Sequence, residues 1–498
     1  MWPPRPKPAP SSNEWPKLFS RWPGLASGST QPGGAPKPGA GQVVLRSRMG
    51  RLVLVTTVLG SAVAMLTSTV VNVALPTLAT DLGASTAQQQ WLINAYTLTL
   101  ASLILVGGSL GDRYGRLRMY RLGAIWFGLA SATCALAPSV GWLIAARLLQ
   151  GVGGALLTPG SLAIIEATLA KADRAAGVGA WSGLGGVAAA AGPLIGGFII
   201  DVGGWRWVFV LNLPLVFVVL MLSRVLPESS SPADRGRLDI GGVILSSLLL
   251  GALSFAFIGA GDGLDARESL AFAIAGVALV GLLALERSHP APILPLSLFA
   301  HRRFVAANVI TLVLYGGMAI VFFLVTVNLQ VVGGYSATEA GASMLPVTVL
   351  MLTLSARGGA LAARIGFRVP LTVGPLVIAT GMVILSRIGP DPIWARDVAP
   401  GAIVFGLGLA LTVAPVTSAA LGAVPGTMAG AASGFNNAVA RTGGLLAVAG
   451  IPPAAGLIGD GLSDPALLSD AYGPAVRIGA ALVAVAGVLA FTLLRHDR

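Results

Sequence analysis

The chain has 498 residues, of which 55% are hydrophobic and only 10% charged, with a formal net charge of +12. A soluble domain carries roughly a quarter charged residues, so a water-soluble globular protein is excluded and a membrane protein is expected. The 32 Lys and Arg are scattered between apolar runs instead of gathered in one patch, which excludes nucleic acid as the expected partner.

Residues 1–48 hold Pro, Gly, Ser and isolated cations without helical period, and are expected to form a disordered cytoplasmic tail that ends near residue 50. Translation starting at Met49 is the alternative. The apolar run that follows is too long for a secretory signal and lacks a cleavage site. Windows of the about 20 apolar residues that cross a hydrocarbon core then lie near 52–77, 91–110, 122–137, 141–165, 176–200, 207–224, 241–259, 269–286, 306–330, 339–356, 370–387, 398–419, 429–455 and 475–494. Fourteen spans are expected. Pro159, Pro193, Pro346 and Pro415 fall within them, where neighbouring helices can tolerate a bend.

Of the 32 cations, 25 fall in the tails and the even-numbered loops, four fall on the other side, and Arg147, Arg441 and Arg477 lie within spans. The positive-inside rule then puts both termini in the cytoplasm. Residues 107–118 (GGSLGDRYGRLR) follow the second span, and a weaker copy, 358–369 (GGALAARIGFRV), follows the tenth. Five of twelve positions agree at an offset of 251. A repeated loop of this kind predicts two related bundles, as in secondary transporters. They are expected over 51–224 and 301–498, with a linker and an inserted helix pair over 225–300. Pro227, Pro232 and Gly236 mark the entry to that pair, and His289, Pro290 and Pro292 its exit.

Within the loop, Gly108, Gly111 and Gly115 allow a tight turn and close helix approach. Asp112 could pair with Arg113 or Arg116, or accept hydrogen bonds from a neighbouring helix N-terminus. An ordinary topogenic turn is the plainer reading. Arg147 sits where a charge costs at least ~2.5 kcal/mol, so it needs a partner or a role; Gln150 and Gly151 lie one turn on. In span 5, Gly192, Pro193, Gly196 and Gly197 provide small contact surfaces and a bend. In span 13, Asn437 and Arg441 share a face beside Asn436, as cavity lining or as interhelical hydrogen-bonding partners. Aromatic residues Trp91, Tyr96, Trp181, Tyr315, Phe322 and Phe323 could line an apolar cavity. Trp91, Trp142, Trp205 and Trp207 are expected as interface anchors.

No phosphate-binding loop is present, no His lies within a span, and the single cysteine, Cys134, reads as a buried structural thiol. Neither metal nor cofactor is expected, and a membrane enzyme is not expected.

Several stretches together resemble the fourteen-helix drug:proton antiporter branch of the major facilitator superfamily. They are GGSLGDRYGRLR, TSTVVNVALP (67–76), QWLINAY (90–96), RLLQGVGGALLTPGSLA (147–163), AGPLIGG (191–197), WRWVFVLNLP (205–214), LPLSLFAHRRF (294–304), GYSATEAGASMLP (334–346) and AGAASGFNNAVARTGG (429–444). Order and spacing cover almost everything after Arg51. The resemblance implies a major facilitator fold in a bacterial plasma membrane, alternating access, a conformational gate in the Asp112 loop, proton coupling through Arg147, and a leak-controlling role for the span 5 glycines, whose leading member is Ala188 here. Thr67, Asn72, Tyr96, Tyr315, Asn436, Asn437 and Arg441 become candidates for the substrate cavity.

One departure stands out. The resembling antiporters commonly carry aspartate where this chain has Thr67, and none of the twenty acids lies well inside a span. Buried carboxylates pair with lipophilic cations and titrate as these leave. The expected function is therefore export of amphipathic, neutral or anionic compounds, drugs or metabolites; the resemblance implies protons as the coupling ion, and a monomer is expected. A facilitator or importer without coupling, and a receptor or scaffold built on a transporter fold, are the alternatives.

Overall fold

The computed structural model describes residues 43–228, 239–260, 263–289, 296–425 and 428–494. Helices dominate throughout. In chain order they are α1 (Arg48–Leu82), α2 (Thr86–Tyr114), α3 (Arg116–Ala135), α4 (Val140–Thr168), α5 (Arg174–Gly203), α6 (Arg206–Val210), α7 (Asn212–Ser223), α8 (Ile240–Gly259) and α9 (Ala266–Ser288). They continue as α10 (Arg302–Val331), α11 (Ala337–Ser343), α12 (Leu345–Ile365), α13 (Arg368–Leu385), α14 (Ala399–Leu421), α15 (Ala429–Ala454) and α16 (Pro465–Leu493).

Local sequence explains the boundaries. Gly83, at φ 64°, ends α1 in the left-handed region that glycine favours. Ser85 and Gln88 form a capping box that starts α2, and Ser336 and Glu339 do the same for α11. The break between α11 and α12 falls at Met344, with Pro346 in the first turn of α12, where its missing N–H costs nothing. Expectation placed Pro346 inside a continuous span; the chain uses it to restart one.

Among the described residues, twelve helical segments are long and apolar enough to cross a membrane. Two further long helices, α3 and α15, of 20 and 26 residues, stand among them. Leu129, Phe217 and Val277 are 63%, 61% and 73% exposed. An outer surface this apolar fits acyl chains, not water.

Packing repeats the sequence echo in three dimensions. In the first half α1 packs on α4, α5 and α7, while α4 packs on α2 and α3, and α3 on α7. In the second half α10 packs on α14, α15 and α16, while α14 packs on α12 and α13, and α13 on α16. A side chain at Gly107 would run into the Ala155 carbonyl, and one at Gly358 into the Ala410 carbonyl. The echoed glycines thus seat equivalent helix pairs backbone to backbone. Gly115 and Gly366, also 251 apart, turn at φ 104° and 86°. In the pair α8–α9, α9 packs on α8, and α8 packs against α2 and α15.

Residues 1–42 lie outside the described part, so the expected tail is described only at its end. There Val43 pairs with Leu169, the Leu45 N–H donates to Asp173, and Ser47 caps α1. The linker residues Pro232, Gly236, Pro290 and Pro292 also lie outside it.

Candidate functional site

A chain of buried polar side chains links α4 to α1. The Arg147 guanidinium is 1% exposed. Its Nη1 donates to Gln150 Oε1 at 2.7 Å and its Nε to the Leu92 carbonyl at 3.1 Å. It also lies over the Tyr96 ring, 4.5 Å from the centroid. Gln150 Nε2 donates to Ser131 Oγ at 2.8 Å, and Asn212 Nδ2 donates to the same oxygen at 3.3 Å. Asn212 Oδ1 in turn accepts from Thr67 Oγ1 at 3.0 Å. Thr67 also contacts the Val63 carbonyl at 2.8 Å, one turn back.

The path Arg147–Gln150–Ser131–Asn212–Thr67 therefore runs through α4, α3, α7 and α1. The partner that Arg147 needs is a neutral amide, and every side chain along the path beyond it is uncharged. Thr67 stands at the far end, where the resembling antiporters place their acid. Sequence reasoning found Arg147, Gln150 and Thr67 but not the links. Asn212 lay in a quoted motif without a role; Ser131 gave no signal.

Gly151 is a close-contact position between helices. A side chain there would strike Thr99 Oγ1, so α2 and α4 touch through it.

In the repeated loop, Arg116 holds Asp112 through Nε at 2.8 Å and Nη2 at 2.7 Å, and Arg116 Nη1 reaches the Ala163 carbonyl. Arg113 instead lies over its neighbour Tyr114. The acceptor at the helix N-terminus is Glu228, which takes the Leu117 and Arg118 N–H groups at 2.9 Å each. An anion there stabilises α3 through the helix dipole. Gly108 and Gly111 have room for a methyl group, so of the three loop glycines only Gly115 is required by geometry.

The span 5 glycines divide by face. Gly192 and Gly196 press on Thr69 and Val70 of α1, while Gly197 meets the Ala337 carbonyl of α11 and Gly341 meets the Pro193 carbonyl. Asp201 Oδ1 and Oδ2 accept the Ala337 and Thr338 N–H groups at 3.2 and 2.8 Å. Nearby, Thr86 N–H reaches the Gly459 carbonyl at 2.8 Å, and Gln89 Nε2 reaches Ser463 Oγ at 3.1 Å. Asn72 Nδ2 donates to the Phe322 carbonyl and Gln330 Nε2 to the Val73 carbonyl. These contacts join the two halves at the end away from Asp112. Trp205 belongs to that end too: it is 2% exposed and donates to Asp81 at 2.7 Å, so it is no interface anchor, whereas Trp142 and Trp207 are over half exposed.

On α15, Asn436 is buried and donates to Asn308 and Thr311 of α10 at 3.1 and 3.0 Å, which makes it an interhelical tie. Asn437 and Arg441 are half-buried, and Arg441 Nε donates to Asn437 Oδ1 at 3.2 Å. Tyr96 of α2 and Tyr315 of α10 both lie within electrostatic reach of Arg441. Cys134 is buried and free. Among the described residues, no group of His, Cys, Asp and Glu could hold a metal ion.

The profile of the Major Facilitator Superfamily matches residues 57–448. The chain belongs to this superfamily. It is a multi-pass membrane transporter, not an enzyme. Among similar proteins, the puromycin resistance protein pur8 of Streptomyces alboniger is 32% identical over 462 residues, covering 89% of this chain and 90% of that protein. The methylenomycin A resistance protein of Bacillus subtilis is 35% identical, covering 81% and 87%. The probable actinorhodin transporter of Streptomyces coelicolor is 35% identical, covering 77% and 69%. Among solved structures, an auto-inhibited POT family peptide transporter superposes with a TM-score of 0.66 over 90% of this chain and 97% of that one. A D-xylose–proton symporter gives 0.59 over 87% and 97%. At 16% identity each, these two speak for the fold alone.

Proposed function

We propose that this protein is an exporter of amphipathic organic compounds, antibiotics or metabolites, powered by the proton-motive force across a bacterial plasma membrane. The observation that carries the reading is the buried Arg147–Gln150 pair of a major facilitator transporter, in a chain whose relatives are named for antibiotic resistance and export. Counting α3 and α15 as spans gives fourteen, with six-helix bundles over 51–224 and 301–498 and the inserted pair between them. The cation-rich end would face the cytoplasm, with both termini there.

In this topology the bonds of Asp201, Thr86, Gln89 and Asn72 close the outer face, and the Asp112–Arg116 pair sits at the cytoplasmic mouth. The alternating-access cycle would break the outer set and engage the Asp112 loop against the second bundle. Nothing in this cycle requires a second copy, and a monomer is the proposed unit. Proton antiport is the form of coupling that the resemblance implies. Uncoupled passage is the second reading, favoured by Thr67, whose hydroxyl cannot release a proton in the physiological range.

The test uses inside-out vesicles containing the protein, challenged with cationic, neutral and anionic drugs under an imposed pH gradient. Uptake that collapses in Arg147→Ala and Asp112→Asn at equal protein abundance supports the assignment. Full transport in both variants would remove these residues from the mechanism.

A further inference from the structure

Arg147 and Arg441 are both cations well inside helices, yet their surroundings differ. Arg147 is enclosed and bonded through Nη1 and Nε. Arg441 is the thirteenth of 26 residues in α15 and only half-buried. Only its Nε is engaged, by Asn437 on its own helix; its Nη nitrogens hold no hydrogen bond among the described residues. Tyr96, from the first half, lies within electrostatic reach of both guanidinium groups, and Tyr315 within reach of Arg441.

Among the described residues, no carboxylate balances these charges. Of the described residues, every acid in α1–α16 lies within about two turns of its helix end: Asp81, Asp112, Glu166, Asp201, Glu268, Glu286, Glu339 and Asp470. Arg477, the remaining deep cation, is accounted for otherwise. It is exposed and its Nη2 lies beside Gly473, near the carbonyl of Ser386 at the C-terminus of α13, where the helix dipole favours a cation.

A second observation points to a ligand. Asn94 is fully buried on α2, and among the described residues neither its Oδ1 nor its Nδ2 has a hydrogen-bond partner. It lies one turn from Gln90, whose amide donates to the Val448 carbonyl of α15 at 2.6 Å, so Asn94 shares the face that α15 covers. Native structures rarely leave such a group unsatisfied, and a bound molecule is one reason they do.

We propose that the transported compound is an amphipathic organic monoanion, a carboxylate or phenolate, held by Arg441 between α2 and α10, and that the membrane potential drives its exit. This rests on the export reading and names its substrate class. Two guanidinium groups without a buried acid attract an anion and repel a cation in a low-dielectric cleft. Expulsion of a monoanion from a cell that is negative inside gains a factor of about 50 in concentration ratio per 100 mV. A carrier of this kind needs no titrating side chain, which fits Thr67 in the place of an acid.

The experiment uses the full chain in phosphatidylcholine liposomes without a pH gradient, under a potassium–valinomycin potential. The probes are dansyl-6-aminohexanoate, its neutral methyl ester and cationic dansylcadaverine. Expected is potential-driven flux of the carboxylate, lowered at least about tenfold in Arg441→Gln and partly kept in Arg441→Lys, with the ester binding more weakly than the acid. Flux of the cation in preference to the anion, or anion flux indifferent to Arg441→Gln or to the potential, overturns the proposal. So does loss of anion binding on adding phosphatidylglycerol without any flux, which would assign Arg441 to lipid phosphate. If neutral drugs are transported and the carboxylate is not, only the charge assignment falls. If no drug of any charge moves, the export reading beneath it falls as well.

Discussion

Gln150 is the hinge of the polar path, and its replacement gives the sharpest test of whether that path holds the first bundle together. Gln150→Leu preserves volume but removes the acceptor of Arg147 Nη1 and the donor to Ser131 Oγ. A hydrogen bond to a charged group contributes about 1.5–3 kcal/mol and a neutral one about 0.5–1.5 kcal/mol. Leaving a fully enclosed guanidinium nitrogen unpartnered puts the loss toward the upper part of that range. The expected destabilisation is about 3 kcal/mol, roughly a hundredfold in the folding equilibrium. Gln150→Glu should behave oppositely. Its carboxylate still accepts from Arg147, and the Ser131 hydroxyl can rotate to donate to its second oxygen. The assay is built into the chain: Cys134 is the only cysteine, is fully buried, and lies one turn from Ser131 on α3. Reaction of a thiol-activated fluorophore during a thermal ramp therefore reports unfolding of this region. The expected order of unfolding temperatures is Glu equal to or above wild type, and Leu well below both. A Leu variant that exposes Cys134 at the wild-type temperature would falsify the claim that the path supports the bundle.

Three further outcomes are expected. Thr67→Asp places a carboxylate oxygen beside Asn212 Oδ1, which must turn its amide, so that the Ser131 hydroxyl donates to Asn212 where it now accepts; the variant should acquire pH-dependent efflux of ethidium, and ethidium efflux no different from wild type at pH 6 and pH 8 would count against Thr67 as the lost coupling position. Gly197→Val drives a side chain into the Ala337 carbonyl and should hold α5 and α11 apart. Disulfide cross-linking between Asp201→Cys and Thr338→Cys should then fall severalfold, and undiminished cross-linking would show that the contact tolerates the bulk. A chain starting at Met49 loses the Ser47 cap, the Val43 bridge and the Leu45–Asp173 bond. At about 1 kcal/mol for the cap and a similar amount for each bond, it should denature at lower temperature in the Cys134 assay; an unchanged transition would mean that the 43–47 segment is dispensable.

Much of the architecture was legible because a bilayer makes each helix announce itself. Hydropathy located the twelve clearly apolar spans of the described residues, the loop echo pointed to two halves with matching packing, and the echoed Gly107 and Gly358 do seat matching helix pairs. The two helices outside the clearly apolar set, α3 and α15, are those in which polar and small residues dilute the signal: α3 opens with three arginines, and α15 carries Asn436, Asn437 and Arg441. Those same residues are what make them interesting.

The sequence by itself determined a helical membrane transporter of a known superfamily, the positions of its deep cations, and the missing acid at Thr67. It could not say what each polar residue touches. Asn212 and Ser131 join Thr67 to Gln150 only because α7, α3, α1 and α4 meet at one depth. Asn436 bonds α10 while Arg441, five residues on, keeps its Nη nitrogens without hydrogen-bond partners among the described residues. Glu228, not Asp112, caps α3. Span positions follow from the free energy of moving one helix into hydrocarbon, a sum over its own residues. Hydrogen-bond partners depend on which helices are neighbours and how they are rotated, and that is decided by packing among residues hundreds of positions apart.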